Sequence, residues 1–458
     1  MNTIKLATSS CPTLQRLRKL FALLLTISLV ALSQAPKGIR TISAANQLTV
    51  AFQVSDAIPL GGTFQVINNS PGDQFDPQVD CDLVSYTSAD TELGKLEARY
   101  FDFVTNTDQA IPGNGSDSLT TVSGGRIAFT EGTLSGSQVV VFDTATQSRS
   151  ALPGVGLRRP AIGGDVVVYE KRLKADRPQE SDIAVYDFNL QFDVRLTFDG
   201  LLNRSPSVSA TGNAWVWEKC QPDGTGCDIY STIRTAPGIF VSYWLTGAGE
   251  DRNPDTNGQI AVYTSNKNGD NDVYFQPIEG GDETQLAMPG NQRSPHISNN
   301  LISFESEVPS AGGTEYDVFI YDINSRNLYR ATNTTVNENL SDLSVCNGVG
   351  RLVFGAPAAD NDLHALTFQL PSATTNKIVD LIALVRSFNL PSGTTNSLIS
   401  KLQYALAASS AGDQATACDN LTSFINEVQA QKGKKLSPGQ ATQLITASYQ
   451  IKTELGCP

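Results

Sequence analysis

Residues 254–275 read Pro254-Asp-Thr-Asn-Gly-Gln-Ile-Ala-Val-Tyr263-Thr-Ser-Asn-Lys-Asn-Gly-Asp-Asn-Asp-Val-Tyr-Phe275. A short segment that begins with proline leads through a polar turn into an apolar segment, and a polar loop separates this from a further apolar segment. The apolar segments are rich in β-branched and aromatic residues, whereas Gly, Asn and Asp fill the turns. This composition is typical of strands and tight turns rather than of helices.

The same pattern occurs seven times in the middle of the chain. The copies are spaced about 40 to 48 residues apart and begin at Pro77, Thr120, Pro160, Pro206, Pro254, Pro295 and Leu343. In several copies a fourth, shorter strand follows, as in Thr284-Gln-Leu-Ala287. A four-strand repeat of this length is typical of a β-propeller blade, and a β-sandwich would not repeat such a unit seven times. The sequence therefore predicts a mainly β protein with a seven-bladed β-propeller over residues 46–370, and six blades is the alternative count.

The two ends of this repeat region complement each other. The seventh copy has a third strand, Leu363-His-Ala-Leu-Thr-Phe368, but no fourth, whereas Thr63-Phe-Gln-Val-Ile67 precedes the first copy without a unit of its own. An N-terminal strand that completes the last blade would close the ring and leave no unpaired edge. We therefore expect residues 63–67 to pair with residues 363–368.

Two copies carry a family resemblance. Pro206-Ser-Val-Ser-Ala-Thr-Gly-Asn-Ala-Trp-Val-Trp217 and especially residues 263–275 resemble the TolB-type, WD-like propeller repeat. The resemblance covers roughly residues 60–370 and implies a propeller fold. It does not imply an activity, because this repeat class serves peptidases, envelope proteins and binding scaffolds alike.

Residues 371–458 show a different pattern, because the apolar period changes from 2 to 3.6 residues. Four amphipathic segments follow one another, and Ile378, Leu402, Phe424 and Leu444 are among their apolar positions. Ser437-Pro-Gly-Gln440 has the pattern of a capping box with proline at the first helical position, which predicts the start of the last helix. We expect a small four-helix domain.

Parts of this tail resemble a known module, the FIMAH domain. The resemblance rests on the segments at residues 396–405, 424–436 and 440–445. FIMAH domains are small helical modules at the C-termini of secreted bacterial proteins. The resemblance therefore implies a bacterial exported protein and no known chemistry.

The first 35 residues have the layout of a secretory signal peptide. Basic residues between Lys5 and Lys19 precede the apolar run Leu20–Leu32, and Ser33-Gln-Ala35 supplies small residues at positions −3 and −1. We expect cleavage after Ala35, with Ser43-Ala-Ala45 as a later alternative. The apolar run is too short to span a bilayer. The mature protein is thus expected to be secreted or periplasmic, without a transmembrane anchor.

The cysteines fit an oxidising compartment, because six of the seven follow the signal peptide and an even number allows three disulfides. Cys220 and Cys227 flank a Pro-Asp-Gly turn that would fold the two thiols toward each other. Cys81 and Cys346 occupy similar places in copies one and seven, so their bond would join the two ends of the ring. Cys418 and Cys457 would connect the last two helices. A metal site is the alternative for Cys220 and Cys227.

Candidate binding residues come from the first strand of each copy, which lines the central channel of a propeller. His296 lies between Pro295 and Ile297 on such a strand, where it either faces a ligand or forms a framework hydrogen bond. Alanine occupies this position in the third copy, at Ala161. Polar side chains at the corresponding positions form the expected channel site: Gln78, Thr121, Ser207, Asp255, His296 and Ser344.

Catalytic and cofactor motifs are scarce. The chain has two histidines and no Gly-x-Ser-x-Gly elbow, so no serine-hydrolase triad and no catalytic residue is predicted. Asn268-Gly-Asp-Asn-Asp272 and Asp360-Asn-Asp362 offer oxygen ligands for Ca²⁺, but the same residue types form ordinary turns, so no cofactor or metal is expected. Channel carboxylates from different blades could still cleave a polysaccharide.

The charge limits the partners. Thirty-three basic and 46 acidic side chains give a net charge of −13, which argues against nucleic acid and against anionic lipid. We expect a monomeric, non-enzymatic binding scaffold whose propeller engages a protein, peptide or glycan. The alternatives are an extracellular polysaccharide hydrolase or lyase and an envelope structural protein like TolB.

Overall fold

The computed structural model describes residues 47–90, 94–172, 177, 179–236, 238–310, 313–357, 360–369, 373–410 and 412–457. The expected signal peptide, residues 1–35, lies outside the described residues. The described chain starts with three short strands, β1 (Gln47–Ala51), β2 (Ile58–Pro59) and β3 (Thr63–Asn68), with a 3-10 turn at Val54–Asp56. We call residues 47–68 the N-terminal strap.

Seven successive units of strands follow the strap, and they make the protein mainly β. Unit 1 contains β4 (Gln74–Asp80), β5 (Leu83–Asp90), β6 (Lys95–Asp102) and β7 (Thr107–Ala110), and unit 2 contains β8 (Asp117–Ser123), β9 (Arg126–Thr133), β10 (Gly136–Asp143) and β11 (Ser148–Ala151). Unit 3 contains β12 (Leu157–Gly163), β13 (Val166–Arg172), β14 (Ser181–Asp187) and β15 (Phe192–Arg195), and unit 4 contains β16 (Leu202–Val208), β17 (Ala214–Cys220), β18 (Asp228–Ala236) and β19 (Ile239–Trp244). Unit 5 contains β20 (Asp251–Thr256), β21 (Ile260–Ser265), β22 (Asp272–Pro277) and β23 (Glu283–Ala287), unit 6 contains β24 (Gln292–Ser298), β25 (Leu301–Ser310), β26 (Gly313–Asp322) and β27 (Asn327–Arg330), and unit 7 contains β28 (Asn339–Cys346), β29 (Val349–Pro357) and β30 (Asn361–Gln369).

The strap completes or extends three of these units. In units 1 to 6 the four strands pair antiparallel in chain order. Unit 7 takes its fourth strand from the strap, because β3 pairs antiparallel with β30 and places Gln65 opposite Ala365, which confirms the expected pairing. β1 and β2 pair parallel with β23 and β27, the outer strands of units 5 and 6. The strap thus covers the outer edges of units 5, 6 and 7 in turn.

A β-bulge recurs in the first strand of every unit. In six units the bulge contains a residue with φ between 46° and 55°, and proline follows that residue in all but one. The six residues are Asp76, Leu119, Arg159, Ser205, Asn253 and Ser294. A bulge bends its strand and turns the side chains that follow. It therefore sets the direction of the side chain two positions later, such as that of His296.

Apolar clusters fill the interfaces between successive units. Large aromatic residues of the second strands, such as Tyr169, Trp215 and Phe304, are fully buried there. One cluster joins unit 7 to unit 1 through Val353, Leu363 and their neighbours. The first strand of each unit contacts that of the next, and β28 of unit 7 contacts β4 of unit 1. Units 7 and 1 are therefore in contact through their first strands, as consecutive units are.

At five interfaces a side chain of the second strand also accepts a backbone N–H from the first strand of the next unit. At three of them a glutamate of the second strand accepts the N–H of a bulge residue, as Glu170 does from Ser205 at 3.0 Å. Glu218 and Glu305 accept from Asn253 and Leu340 in the same way. Each glutamate is almost completely buried and pairs with an arginine of its own first strand. We call this arrangement the glutamate latch.

Four helices follow unit 7. They are α1 (Ala373–Ser387), α2 (Ser392–Ser410), α3 (Gln414–Gln431) and α4 (Pro438–Glu454). The capping box at Ser437 and Gln440 is present, with Pro438 at the start of α4, as the sequence predicts. The helices share one apolar cluster with units 6 and 7 and with Ile58 of the strap, so the tail packs on the sheets. None of the helices within the described residues combines the length and apolar character that crossing a membrane requires.

All three expected disulfides are formed. Cys81 and Cys346 join units 1 and 7 with their Cα atoms 5.3 Å apart. Cys220–Cys227 closes the hairpin between the second and third strands of unit 4. Cys418–Cys457 connects α3 to the segment after α4. The metal alternative for Cys220 and Cys227 is therefore wrong, because both thiols are used in the bond.

Candidate functional site

A cavity of about 560 Å³ is bounded by the first strands of all seven units. Ala161, which has no polar group in its side chain, lines the cavity in unit 3. All six predicted channel residues line it as well: Gln78, Thr121, Ser207, Asp255, His296 and Ser344. The six residues therefore line one cavity, and their role in binding stays a prediction; the structure changes the register in one unit.

The register differs from the sequence alignment in unit 7. His296 lies opposite Ser303, one residue before the buried Phe304, and Asp342 lies opposite Val353, one residue before Phe354. Asp342, not Ser344, is thus the counterpart of His296. Ser344 lies two residues further along β28, where its hydroxyl accepts the backbone N–H of Cys81 at 3.0 Å. Between these paired residues the hairpin of β28 and β29 is four residues longer than that of β24 and β25, two on each strand, and the two on β28 shift any alignment that starts from the first strand.

Four successive units bring Ser207, Asp255, His296 and Asp342 together in one half of the cavity wall. Nδ1 of His296 lies 3.8 Å from Oδ2 of Asp255 and 3.5 Å from Oδ1 of Asp342. One ligand atom from each of these three side chains lies within 4.8 Å of the others. The three side chains are 15 to 21% exposed, so they are largely shielded but open to the cavity. We call Asp255, His296 and Asp342 the carboxylate–histidine cluster.

Hydrogen bonds hold both carboxylates of this cluster in place. Asp255 accepts the hydroxyl of Ser207 at 2.5 Å and the N–H of Ile297 at 2.8 Å. Asp342 accepts the N–H of Val79 and that of Leu343, both at 2.8 Å. Most of these donors come from a neighbouring unit, so the cluster is fixed by the arrangement of the units. Its geometry does not depend on a mobile loop.

The cluster has perturbed protonation. Burial raises the pKa of Asp342 well above its ordinary value of 3.8, and the charge of Asp255 raises it further. Burial lowers the pKa of His296, and the charge of Asp255 opposes this shift. Both shifts favour the neutral forms of Asp342 and His296. The main cause of both shifts is the burial of the two side chains.

The cavity wall is acidic overall. Four carboxylates line it, from Asp76, Asp80, Asp255 and Asp342, and the guanidinium of Arg159 is the basic side chain in the lining as described. Burial raises the pKa of Asp76, and the positive charge of Arg159 counteracts part of this effect. The lining therefore favours cationic or hydrogen-bonding ligands over anions.

A polar groove adjoins the cavity and shares Asn257 and Asn299 with it. The groove has a volume of about 840 Å³ and runs over the hairpins of units 5 and 6 to Asp380 of helix α1. Side-chain amides and carboxylates dominate its lining: Asn257, Gln259, Asn299, Asn300, Asp322, Asn324, Asn327 and Asp380. Amides both donate and accept hydrogen bonds, which suits a polar chain molecule.

Sequence analysis missed four charged residues of the cavity, namely Asp76, Asp80, Arg159 and Asp342. Asp342 precedes Phe354 by 12 positions, whereas His296 precedes Phe304 by 8, so no fixed count from the aromatic residue of the second strand finds Asp342. Asp76 and Arg159 are bulge residues, and only the structure shows that this strained position borders the cavity.

The remaining candidate ligand groups are already engaged. The turn at residues 268–272 bonds its own surroundings, because Asn268 donates to Tyr274 and Gln285, and Gln285 donates to Asp272. Two further groups of possible metal ligands each contain a pair of cysteines. Those cysteines form disulfides, so their sulfur atoms are not thiolate ligands.

No protein-family model and no curated protein matches this chain. Similar solved structures exist at low identity. The β-propeller domain of the Trilobed protease from Pyrococcus furiosus is 14% identical, with a TM-score of 0.48 over 66% of this chain and 95% of that one. A prolyl endopeptidase structure is 13% identical, with a TM-score of 0.50 over 68% of this chain and 47% of that one. TolB from Acinetobacter baumannii is 13% identical, with a TM-score of 0.35 over 71% of this chain and 94% of that one.

These likenesses concern the fold alone. The similar structures are β-propeller proteins at low sequence identity, and a C-terminal helical domain is present in this chain. This chain spans about half the length of the prolyl endopeptidase that it matches. A shared fold does not decide between catalysis and binding.

Proposed function

We propose that the seven units are the blades of one closed, seven-bladed β-propeller of the TolB type, and that this propeller is an exported, non-enzymatic binding protein. Its ligand is a peptide segment, free or part of a protein, that enters the acidic cavity and extends along the adjoining groove. The observation that carries the proposal is the cavity to which all seven first strands contribute. The cyclic contacts between units and the bond between Cys81 and Cys346 support the closed ring.

Charge favours a peptide with basic residues over an acidic glycan. The cavity and groove together present six carboxylates and one guanidinium, and the whole chain carries a net charge of −13. Such a surface attracts basic segments over long distances and repels uronates or sulfated sugars. The amides of the groove match the N–H and C=O groups of a peptide backbone.

Export and the role of the tail belong to the same proposal. The three disulfides are consistent with an oxidising compartment, either the periplasm or the medium. Helix α1 of the FIMAH-like tail contributes Asp380 to the groove. The tail therefore acts as an accessory module that borders the ligand site, in a chain that works as a monomer.

A binding screen with a blocked cavity tests this function. The mature protein is applied to an array of random dodecapeptides and, in parallel, to a glycan array. Ala161→Trp fills the cavity from a wall position that is 8% exposed, whereas Leu134→Trp places the same ring on a fully exposed hairpin. Basic peptides should bind the wild type and the Leu134→Trp variant, bind more weakly in high salt, and lose at least tenfold in affinity with Ala161→Trp. Binding of glycans alone, or peptide binding that Ala161→Trp leaves unchanged, would refute the proposal.

A second candidate function follows from one observation, the convergence of Asp255 and Asp342. Carboxylate oxygens within 4.8 Å of each other are close enough to act on one glycosidic bond, as in a polysaccharide hydrolase or lyase. Incubation with a panel of plant and bacterial polysaccharides distinguishes the two functions. New reducing ends or unsaturated sugars that vanish with Asp255→Asn would establish the enzyme, and their absence with every polysaccharide supports the binding protein.

A further inference from the structure

We propose that the carboxylate–histidine cluster is a divalent metal site of the zinc type, with Asp255, His296 and Asp342 as its three protein ligands. The metal does not depend on the proposed function. Only the occupant of its open coordination position, a water molecule or a donor atom of the bound peptide, rests on that function.

The donor geometry supports this assignment. Zinc binds histidine nitrogen at 2.0–2.1 Å and carboxylate oxygen at 2.0–2.2 Å, so neighbouring ligands of a tetrahedral ion are about 3.4 Å apart. The His296 nitrogen lies 3.5 Å and 3.8 Å from the two carboxylate oxygens. These separations are too long for hydrogen bonds and within a few tenths of an ångström of the tetrahedral spacing. One imidazole and two carboxylates are a donor set that zinc accepts.

Charge balance supports it independently. The two carboxylates and the imidazole are largely shielded from solvent, and a buried carboxylate needs a compensating cation. Among the residues that the structure describes, the salt bridges of Asp255 and Asp342 involve only His296, and Arg159 lies in unit 3, which contributes no residue to the cluster. A divalent ion would supply two positive charges to two carboxylates.

The surroundings of the cluster orient the ligands. Ser207 and the backbone N–H groups of Val79, Ile297 and Leu343 bond the carboxylates, which is the kind of outer support that metal sites require. All three ligands line the cavity, so the remaining coordination position is reachable from it. Three protein ligands with one open position are typical of zinc sites that bind or activate a further group.

Zinc titration of the mature protein tests the site. The disulfide-bonded protein is stripped of metal with EDTA, dialysed, and titrated with Zn²⁺ by calorimetry. We expect one site per chain with a dissociation constant below about 1 μM, and an affinity at least 30-fold lower for His296→Gln. The matched control is His364→Gln, because His364 is the only other histidine of the chain and should leave the affinity unchanged.

Spectroscopy separates this site from nonspecific binding to an acidic surface. Co²⁺ loading should give the visible absorption of a tetrahedral ion, and zinc-edge X-ray absorption should show one imidazole that His296→Gln removes and His364→Gln retains. Asp342→Asn should weaken zinc binding by at least tenfold, and near-UV circular dichroism confirms that each variant is folded. Equal zinc affinity in His296→Gln and wild type, or no zinc binding tighter than 100 μM, would overturn the proposal.

The peptide array and the zinc titration test the binding function and the metal site separately. Peptide binding in the presence of EDTA depends on the cavity alone, whereas zinc titration without peptide depends on the cluster alone. A failure of the metal site therefore leaves the binding function standing, and a failure of the binding function leaves the metal site standing.

Discussion

The interface between units 3 and 4 and the seam between units 7 and 1 join the same kind of strands by different means. At the former, Glu170 pairs with Arg158 and accepts the N–H of Ser205 in the next unit. The seam has Gly355 in place of this glutamate. A side chain at Gly355 would collide with Asn361, whose amide donates to the carbonyl of Gln74 in unit 1. The glutamate latch is thus replaced by an amide that comes from the third strand.

The seam also has bonds that the other interface lacks. A disulfide joins Cys81 and Cys346, and Arg351 donates to the carbonyl of Cys81 at 2.8 Å and pairs with Asp82. Units 3 and 4 are consecutive in the chain, whereas the two sides of the seam are 265 residues apart at the disulfide. Bringing distant segments together costs more chain entropy, and covalent and charged contacts offset this cost.

The largest effect should come from opening the seam disulfide. The double substitution Cys81→Ser and Cys346→Ser releases a loop of 265 residues, for which the chain-entropy model gives a loss of about 5.6 kcal/mol. Cys220→Ser with Cys227→Ser releases seven residues and should cost about 2 kcal/mol. Urea denaturation of the three proteins measures the difference. If the hairpin pair cost as much as the seam pair, the seam would have no special role.

Removal of the latch should have the next largest effect. Glu170→Ala leaves Arg158 and the N–H of Ser205 without their partner in a fully buried place, so we expect a loss of about 3 kcal/mol in the free energy of unfolding. Glu170→Gln is the control, because its amide oxygen still accepts from Ser205, and it should lose less. Thermal and urea unfolding report both values. Equal losses would show that charge alone stabilises this interface.

At the seam, the corresponding amide should contribute less. Asn361→Ala removes the donor to the carbonyl of Gln74 and leaves space beside Gly355, and we expect a loss of about 1 to 2 kcal/mol. Addition of Gly355→Ala to this variant should be harmless, because the collision partner is gone. In the wild type, Gly355→Ala alone should destabilise. Unfolding curves of the three variants measure these losses. If Gly355→Ala destabilised the protein equally with and without Asn361, the amide of Asn361 would not take the place of the glutamate latch.

The smallest effect, and the one whose sign depends on pH, should come from Asp342→Asn in metal-free protein. Folding raises the pKa of Asp342, so its contribution to stability is fully present below the unfolded value near 3.8 and is lost as the pH rises through the folded value. Asparagine keeps an acceptor and carries no charge. The variant should therefore gain on the wild type as the pH rises from 4 to 8. Urea midpoints across this range, with Asp76→Asn as a companion, test the direction.

The sequence predicted the features that depend on local pattern. Repeated strands, the helical tail, the cap at Ser437 and the three cysteine pairs all follow from spacing, charge and residue type. Pairing of residues 63–68 with unit 7 also followed, because an incomplete last unit and an unassigned first strand need each other. These predictions required no knowledge of distances.

The sequence did not predict the features that depend on register between units. Asp342 escaped notice because β28 is two residues longer toward its hairpin than β24, which moved Ser344 into the aligned place. The parallel pairing of β1 and β2 with units 5 and 6 also went unpredicted, because Gln47–Ala51 and the two residues of β2 carry little pattern of their own. A cluster that combines residues of three units can be predicted only when the arrangement of those units in space is known.

The N-terminal strap has a consequence for how the molecule is made. β1 can dock only after unit 5 exists, β2 only after unit 6 and β3 only after unit 7, so the strap is fully docked only once all seven units have been synthesised. Until then three outer sheet edges are open to other molecules. Docking of the strap is thus completed late in synthesis, after an interval in which these edges are exposed.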